Sequence, residues 1–163
     1  MREIRLHAPG DVEHLVVDEI ETPRYGAGEA LVRVDAAAIT RDELAWPVDR
    51  LPATPSYEFS GVVAAIGTDV DNVAVGESVY ALSGFDRDGA AADYTVVAAD
   101  VLAPKPRTLS HVESAAIPLA ALSAWQALLD HGKLAEGERV LVHGATGGVG
   151  HSASNSPDGA GAG

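Results

Sequence analysis

The sequence predicts a mainly β fold, a barrel or sandwich with little helix, followed by helices and the first strand of an incomplete α/β domain. Three observations carry this. Short β-rich runs separated by Gly, Pro and Asp turns fill residues 1–106, a capping box at Ser110 opens a helical stretch, and an apolar run at 139–143 leads straight into a glycine-rich turn. Ile4, Arg5 and Leu6 begin the strand series, and 14–20 continue it. In 30–36, Val32 and Val34 alternate with Arg33 and Asp35, as a half-buried strand requires. Residues 59–66, 77–82 and 92–98 supply further strands, with glycines at 10, 26, 28, 61, 67, 76, 84 and 89 as punctuation. Residues 40–46 suit one short helical turn.

Ser110 and Glu113 can each satisfy the other's exposed backbone N–H, and Pro118 then restarts the helix because it lacks a donor and crowds the preceding turn. Two consecutive helices follow, over 110–117 and 118–131. Leu122, Trp125 and Leu129 line one face, and Gly132 stands as a C-terminal cap. The continuous Val140-Leu141-Val142 core has the pattern of a parallel strand buried on both faces. Residues 151–163 contain no Leu, Ile, Val, Phe or Met, which predicts a flexible tail. The expected organisation is a barrel domain over 1–108, an incomplete second domain over 109–150 and the tail 151–163.

The chain has 163 residues and a net charge of −13, from 11 Lys and Arg against 24 Asp and Glu. Phosphate-tracking proteins need clustered cations, whereas the only lysines here are Lys105 and Lys133 and the arginines are scattered. Nucleic acid and anionic membranes are therefore not expected partners. With 47% hydrophobic residues the composition is that of a folding globular chain. Cysteine is absent, which removes disulfides and thiolate zinc sites. The N-terminus shows no apolar leader, and the most apolar stretch, 115–129, is shorter than the ~18 residues of a membrane span. A cytoplasmic protein is expected.

A glycine-rich turn after an apolar strand is the entry to a dinucleotide site, because glycines let the backbone approach a pyrophosphate and the following helix N-terminus offers N–H donors. Here Gly144, Ala145, Thr146, Gly147, Gly148, Val149 and Gly150 form a one-residue variant of the GxGxxG spacing. The full unit also needs a helix and then a second strand carrying a ribose-binding acid about 20 residues further on. With so few residues after Gly150, neither the helix nor the acid is expected in this chain.

The residues quoted so far, read together with GEALVRVDAAAITRDEL (28–44), PSYEFSGVVAAIG (55–67), VGESVYAL (75–82), ADYTVV (92–97) and ESAAIPLAALSAWQALLDHGKLAEGERVLVHGATGGVG (113–150), resemble the N-terminal half of a medium-chain dehydrogenase/reductase of the zinc-free, quinone-oxidoreductase-like branch. The resemblance covers roughly 1–150. It implies a GroES-like, partly open barrel, the start of a Rossmann domain, NADP(H) as cofactor, and reduction of a quinone, enone or similar small carbonyl compound. The truncation leaves a second reading open: a non-catalytic GroES-like fragment or interaction module. In that reading the apolar edge at 139–143 pairs with another chain, giving a homodimer.

The family also assigns site residues. Zinc-dependent relatives place a Cys and a His ligand where this chain has Thr40 and Tyr57, so no metal site is expected. The six histidines show no pair at helical spacing, and the four-cysteine zinc lobe is missing from the short loop 83–88. Quinone-oxidoreductase-like members carry Asn-Pro-x-Asp where Thr40-Arg41-Asp42-Glu43 stands, which leaves Thr40 with only a hydroxyl near the nicotinamide. Tyr57 is either a hydrogen-bond donor to the developing oxyanion or a core tyrosine whose hydroxyl caps a backbone carbonyl. Ser123 either contacts the nicotinamide or bonds its own helix. Asp42, Glu43 and Glu58 are expected to structure loops.

Overall fold

The structure is a computed structural model that describes residues 1–40, 42–45 and 49–155. Among the described residues there are seven strands: β1 (Arg2–Leu6), β2 (Leu15–Glu19), β3 (Glu29–Ala38), β4 (Glu58–Ile66), β5 (Ser78–Leu82), β6 (Tyr94–Ala98) and β7 (Ala103–Pro104). The last pairs with Val79 and Tyr80, and at two residues including a proline it carries no periodicity to read. Helices follow as α1 (His111–Ala115), α2 (Pro118–Trp125) and α3 (Gly148–Ser154). The expected turn at 40–46 is a 3₁₀ turn at Glu43–Ala45, and Trp46 lies outside the described residues.

Two compact units divide at Ala116 and Ile117. The first is built on a five-stranded antiparallel sheet in the order β6-β3-β4-β5-β7 and a β1-β2 ribbon. The alternation in β3 works as expected: Ala30 and Val32 are fully buried against Phe59, Val63, Val79 and Val97, while Arg33 and Asp35 face outward as an ion pair. The ribbon is stitched to the rest through Ile4 N–H to Ala91 O (2.8 Å) and Leu6 N–H to Ala53 O (2.8 Å), which gives the partly open barrel its closure.

The capping box is present, with Glu113 Oε2 accepting from Ser110 N–H at 2.8 Å and Ser110 Oγ accepting from Glu113 N–H at 3.2 Å. The following His111 sets its Nδ1 2.8 Å from the Oγ of buried Ser60, so α1 packs on β3, β4 and β5. The expected division at 108 would assign α1 to the second unit, whereas its contacts assign it to the first.

In the second unit, α2 starts at Pro118 and passes into a π-helical turn at Gln126–His131. Gly132 ends it without a left-handed backbone (φ −71°). A Cβ there would lie 2.7 Å from Ala127 O, and the left-handed residue is Lys133 instead (φ 53°). Two expectations are corrected here. Residues 139–143 are not a strand: among the described residues no neighbouring strand takes their backbone groups, and Leu141 is 81% exposed. On α2, the face that carries Leu122 and Trp125 is exposed.

The other correction is that the helix expected to be missing after the glycine turn exists. It is α3, which occupies the first residues of the supposed tail and packs on α2. Small residues permit this without an apolar stripe, since a Cβ on Gly148 would sit 3.4 Å from Ala120 Cβ. The hydroxyls of Ser152 and Ser154 bond back to Gly148 O and Gly150 O. Residues 156–163 lie outside the described ones. No helix among the described residues is long and apolar enough to cross a membrane.

Close backbone contact and a buried carboxyl in the barrel can both be tested by stability. Gly67→Ala places a Cβ 1.8 Å from Gly26 O and should cost about 2–3 kcal/mol in urea unfolding. Gly26→Ala, which meets only a side-chain oxygen at 3.5 Å, should stay within about 0.5 kcal/mol. Glu3 is buried with Oε1 accepting from Thr54 Oγ1 and Oε2 unpartnered among the described residues, and burial pushes its carboxyl up from the ordinary carboxylate value. A raised carboxyl pKa stabilises the fold fully below the unfolded value, and that contribution is lost as pH rises through the folded value. Glu3→Gln should therefore match the parent near pH 4 and melt higher at pH 8, by about 2–4 °C if the isolated charge costs ~1 kcal/mol.

Candidate functional site

Thr40 and Tyr57 come from different loops, and one buried carboxylate holds both. The 3₁₀ turn Glu43–Ala45 folds back so that Glu43, 2% exposed, accepts from the backbone N–H of Thr40 (2.8 Å), Ser56 and Tyr57. Burial pushes this carboxyl up, and the three amides pull it back down by less. Ser56 needs that support because its backbone is left-handed (φ 78°), a conformation costly for a residue with a Cβ. Its Oγ donates to Ala38 O at 2.7 Å, its carbonyl accepts from Ala90 N–H at 2.6 Å, and Gly89 passes so close that a Cβ there would be 2.3 Å from Pro55 O.

Tyr57 is pinned at its carbonyl by Ser83 N–H (2.7 Å) and Ser83 Oγ (3.0 Å). The side chain is 3% exposed, with the Phe85 ring edge-on at 5.0 Å. Its hydroxyl accepts from Arg50 Nη2 at 2.7 Å, and the same nitrogen donates to Phe85 O at 2.7 Å. Burial pushes the phenol up from its ordinary value, while the Arg50 charge opposes this. Tyr57 is the acceptor in this bond, so both roles read from the sequence, which concern its own O–H, stay open. Arg50 was not legible: it lies in an aperiodic stretch between turns.

Of the loop carboxylates, Glu43 has the structuring role expected of it. Asp42 is exposed and lends its carbonyl to Ala45 N–H (3.0 Å), and Glu58 is buried at the head of β4. Arg41 lies outside the described residues. Among the described residues no group of three or more His, Asp or Glu could hold a metal ion. A pocket of ≈ 530 Å³ opens on the first unit, lined by Glu3, Arg5, Arg24, Arg50 and Arg87 among others, but neither Thr40 nor Tyr57 lines it.

In the second unit, Gly144 has a left-handed backbone (φ 71°), Gly147 is the N-cap of α3 and donates to Gly144 O at 2.9 Å, and Gly148, Val149 and Gly150 form the first turn of the helix. A Cβ on Gly150 would lie 2.3 Å from Gly144 O and 2.8 Å from Ala145 Cα, so only glycine lets the turn close on the helix. The first amides of a helix have no partner inside it. The chemistry of this donor set fits a dinucleotide pyrophosphate, with Thr146 in the turn as a further donor. Ser123 is half-buried on α2.

Residues 26–107 match the alcohol dehydrogenase GroES-like domain family. The chain is 36% identical over 156 residues to a phenolphthiocerol/phthiocerol polyketide synthase of Mycobacterium tuberculosis, covering 92% of this chain and 7% of that one. It is 32% identical to the 2-methylene-furan-3-one reductase of Solanum lycopersicum, covering 86% and 40%. Among solved structures, the quinone oxidoreductase of Coxiella burnetii superposes with a TM-score of 0.83 at 32% identity, covering 94% of this chain and 51% of that one. The chain thus spans about half, or less, of the length of these relatives.

Removing the Glu43 carboxylate leaves three amides without their acceptor. Glu43→Ala should lower unfolding free energy by about 3 kcal/mol, one unsatisfied buried amide alone costing ~1–3. Hydrogen exchange at Thr40, Ser56 and Tyr57 should accelerate ahead of the β3–β4 ladder.

Proposed function

The chain belongs to the medium-chain dehydrogenase/reductase superfamily through its alcohol dehydrogenase GroES-like domain, and from that premise we propose that it is the barrel and first cofactor-binding turn of an NADP(H)-dependent, zinc-independent, cytoplasmic reductase of quinones, enones or similar carbonyl compounds. The observation that carries this reading is the turn 144–150 closing on α3, where glycine alone fits at 150. The tomato relative is named for a conjugated methylene ketone and the Coxiella one for quinones, and both kinds of acceptor place negative charge on an oxygen when hydride arrives.

Gly144, Ala145, Thr146, Gly147, Gly148, Val149 and Gly150 would hold the pyrophosphate by backbone N–H groups and the helix dipole. The bound nicotinamide would supply the hydride. Ser123 is proposed to face the nicotinamide. Tyr57 and Thr40 are proposed as hydroxyl donors to the carbonyl oxygen, with Glu43 fixing their backbones. Zinc independence rests on residue chemistry: Thr40 and Tyr57 are poor zinc ligands, and the chain has no cysteine.

A second reading, a non-catalytic interaction module that pairs with another chain, is favoured by the exposure of Leu141 and Trp125. One titration separates the two. In the presence of a chelator, the enzyme reading requires that NADPH added to the chain quench its fluorescence with low-micromolar affinity and that a simple quinone turn over, with NADH titrated alongside. Gly150→Val should weaken binding roughly tenfold or more, a loss of about 1.4 kcal/mol. Silence up to millimolar NADPH would overturn the enzyme reading for this chain and leave the module.

A further inference from the structure

We infer that Arg50 is a positioning residue that orients the Tyr57 hydroxyl as a hydrogen-bond donor toward the reacting oxygen. The inference rests on the reading of Tyr57 as a donor and deepens it. A guanidinium carries only donors, so the 2.7 Å contact from Arg50 Nη2 must end on a lone pair of the Tyr57 oxygen. The phenolic proton is thereby directed away from Arg50. The second hydrogen of the same nitrogen is taken by Phe85 O, which holds the guanidinium in place, and its central carbon lies 6.0 Å from the Tyr57 ring centroid. Arg50 thus bonds the oxygen of the tyrosine and lies over its ring, while gripping the loop whose Phe85 ring packs on it.

The charges facing the phenol act in opposite directions. Arg50 favours its ionised form, whereas Glu43 and Asp88 oppose it. A cation in contact with the oxygen strengthens the O–H as a donor, because charge left on the oxygen as the hydrogen bond tightens is stabilised. Lysine would keep the charge and lose the fork. No aspect of the sequence pattern marks Arg50, since its partner lies across two prolines at 52 and 55.

The test reads the phenol itself and does not depend on turnover. The full chain is labelled with 3-fluorotyrosine and its four tyrosine signals are followed by fluorine NMR as pH rises, with Tyr57→Phe assigning the signal of Tyr57. Arg50→Gln should lower the ionisation constant of Tyr57 about tenfold or more while the signals of Tyr25, Tyr80 and Tyr94 stay in place. Arg50→Lys should recover most of the loss. An unchanged constant in Arg50→Gln overturns the inference, and so does an Arg50→Lys constant no better than that of Arg50→Gln. The donor reading fails separately: undiminished quinone turnover in Tyr57→Phe would remove it and leave the Arg50 measurement standing.

Discussion

The Glu43 carboxylate is the constraint from which the geometry of the first unit's loops follows. A carboxylate that is 2% exposed is a liability unless its lone pairs are filled, and here three backbone amides fill them. Those amides belong to Thr40 on one side and to Ser56 and Tyr57 on the other, so the end of β3 and the approach to β4 cannot drift apart without stranding a buried charge. The left-handed Ser56 is tolerable for the same reason. The strain at that residue is met by hydrogen bonds on its amide, hydroxyl and carbonyl at once.

What the sequence disclosed depended on whether the controlling interaction was local. The alternation in β3, the reciprocal bonds between Ser110 and Glu113, the restart at Pro118 and the glycine turn all involve neighbours within a few residues, and all stand in the structure. Glu43 was legible as a loop carboxylate because its first contact, Thr40, is three residues away. Its hold on Ser56 and Tyr57 was not, because only the folded β3–β4 pairing brings them within reach. Arg50 was invisible for that reason too. The helix α3 was missed on different grounds: its residues offer no apolar stripe, and the helix instead closes on small residues and serine hydroxyls.

The run at 139–143 makes the converse point. Val140, Leu141 and Val142 carry the pattern of a strand covered on both faces, and a strand exists only by virtue of the neighbours that take its backbone groups. Among the described residues those neighbours are absent, and the segment lies exposed without ladder bonds. The local pattern records the environment the residues suit, and the fold records the environment they have. The exposed Leu122 and Trp125 on α2 belong to the same mismatch.

Tyr57 is where these constraints meet chemistry. Its phenol starts from an ordinary value far above neutrality, and burial pushes it further up against the pull of Arg50. At neutral pH it is therefore protonated, and in the proposed role, with Arg50 on its lone pair, that proton is the one directed to the acceptor's carbonyl oxygen. A fixed donor serves a reaction that builds negative charge on an oxygen, and the proposed reduction of a quinone or enone is of that kind. The rigidity matters as much as the proton. With its amide on Glu43, its carbonyl on Ser83 and its oxygen on Arg50, the residue reorganises little when the charge develops, and this is the condition under which a single hydrogen bond lowers a barrier.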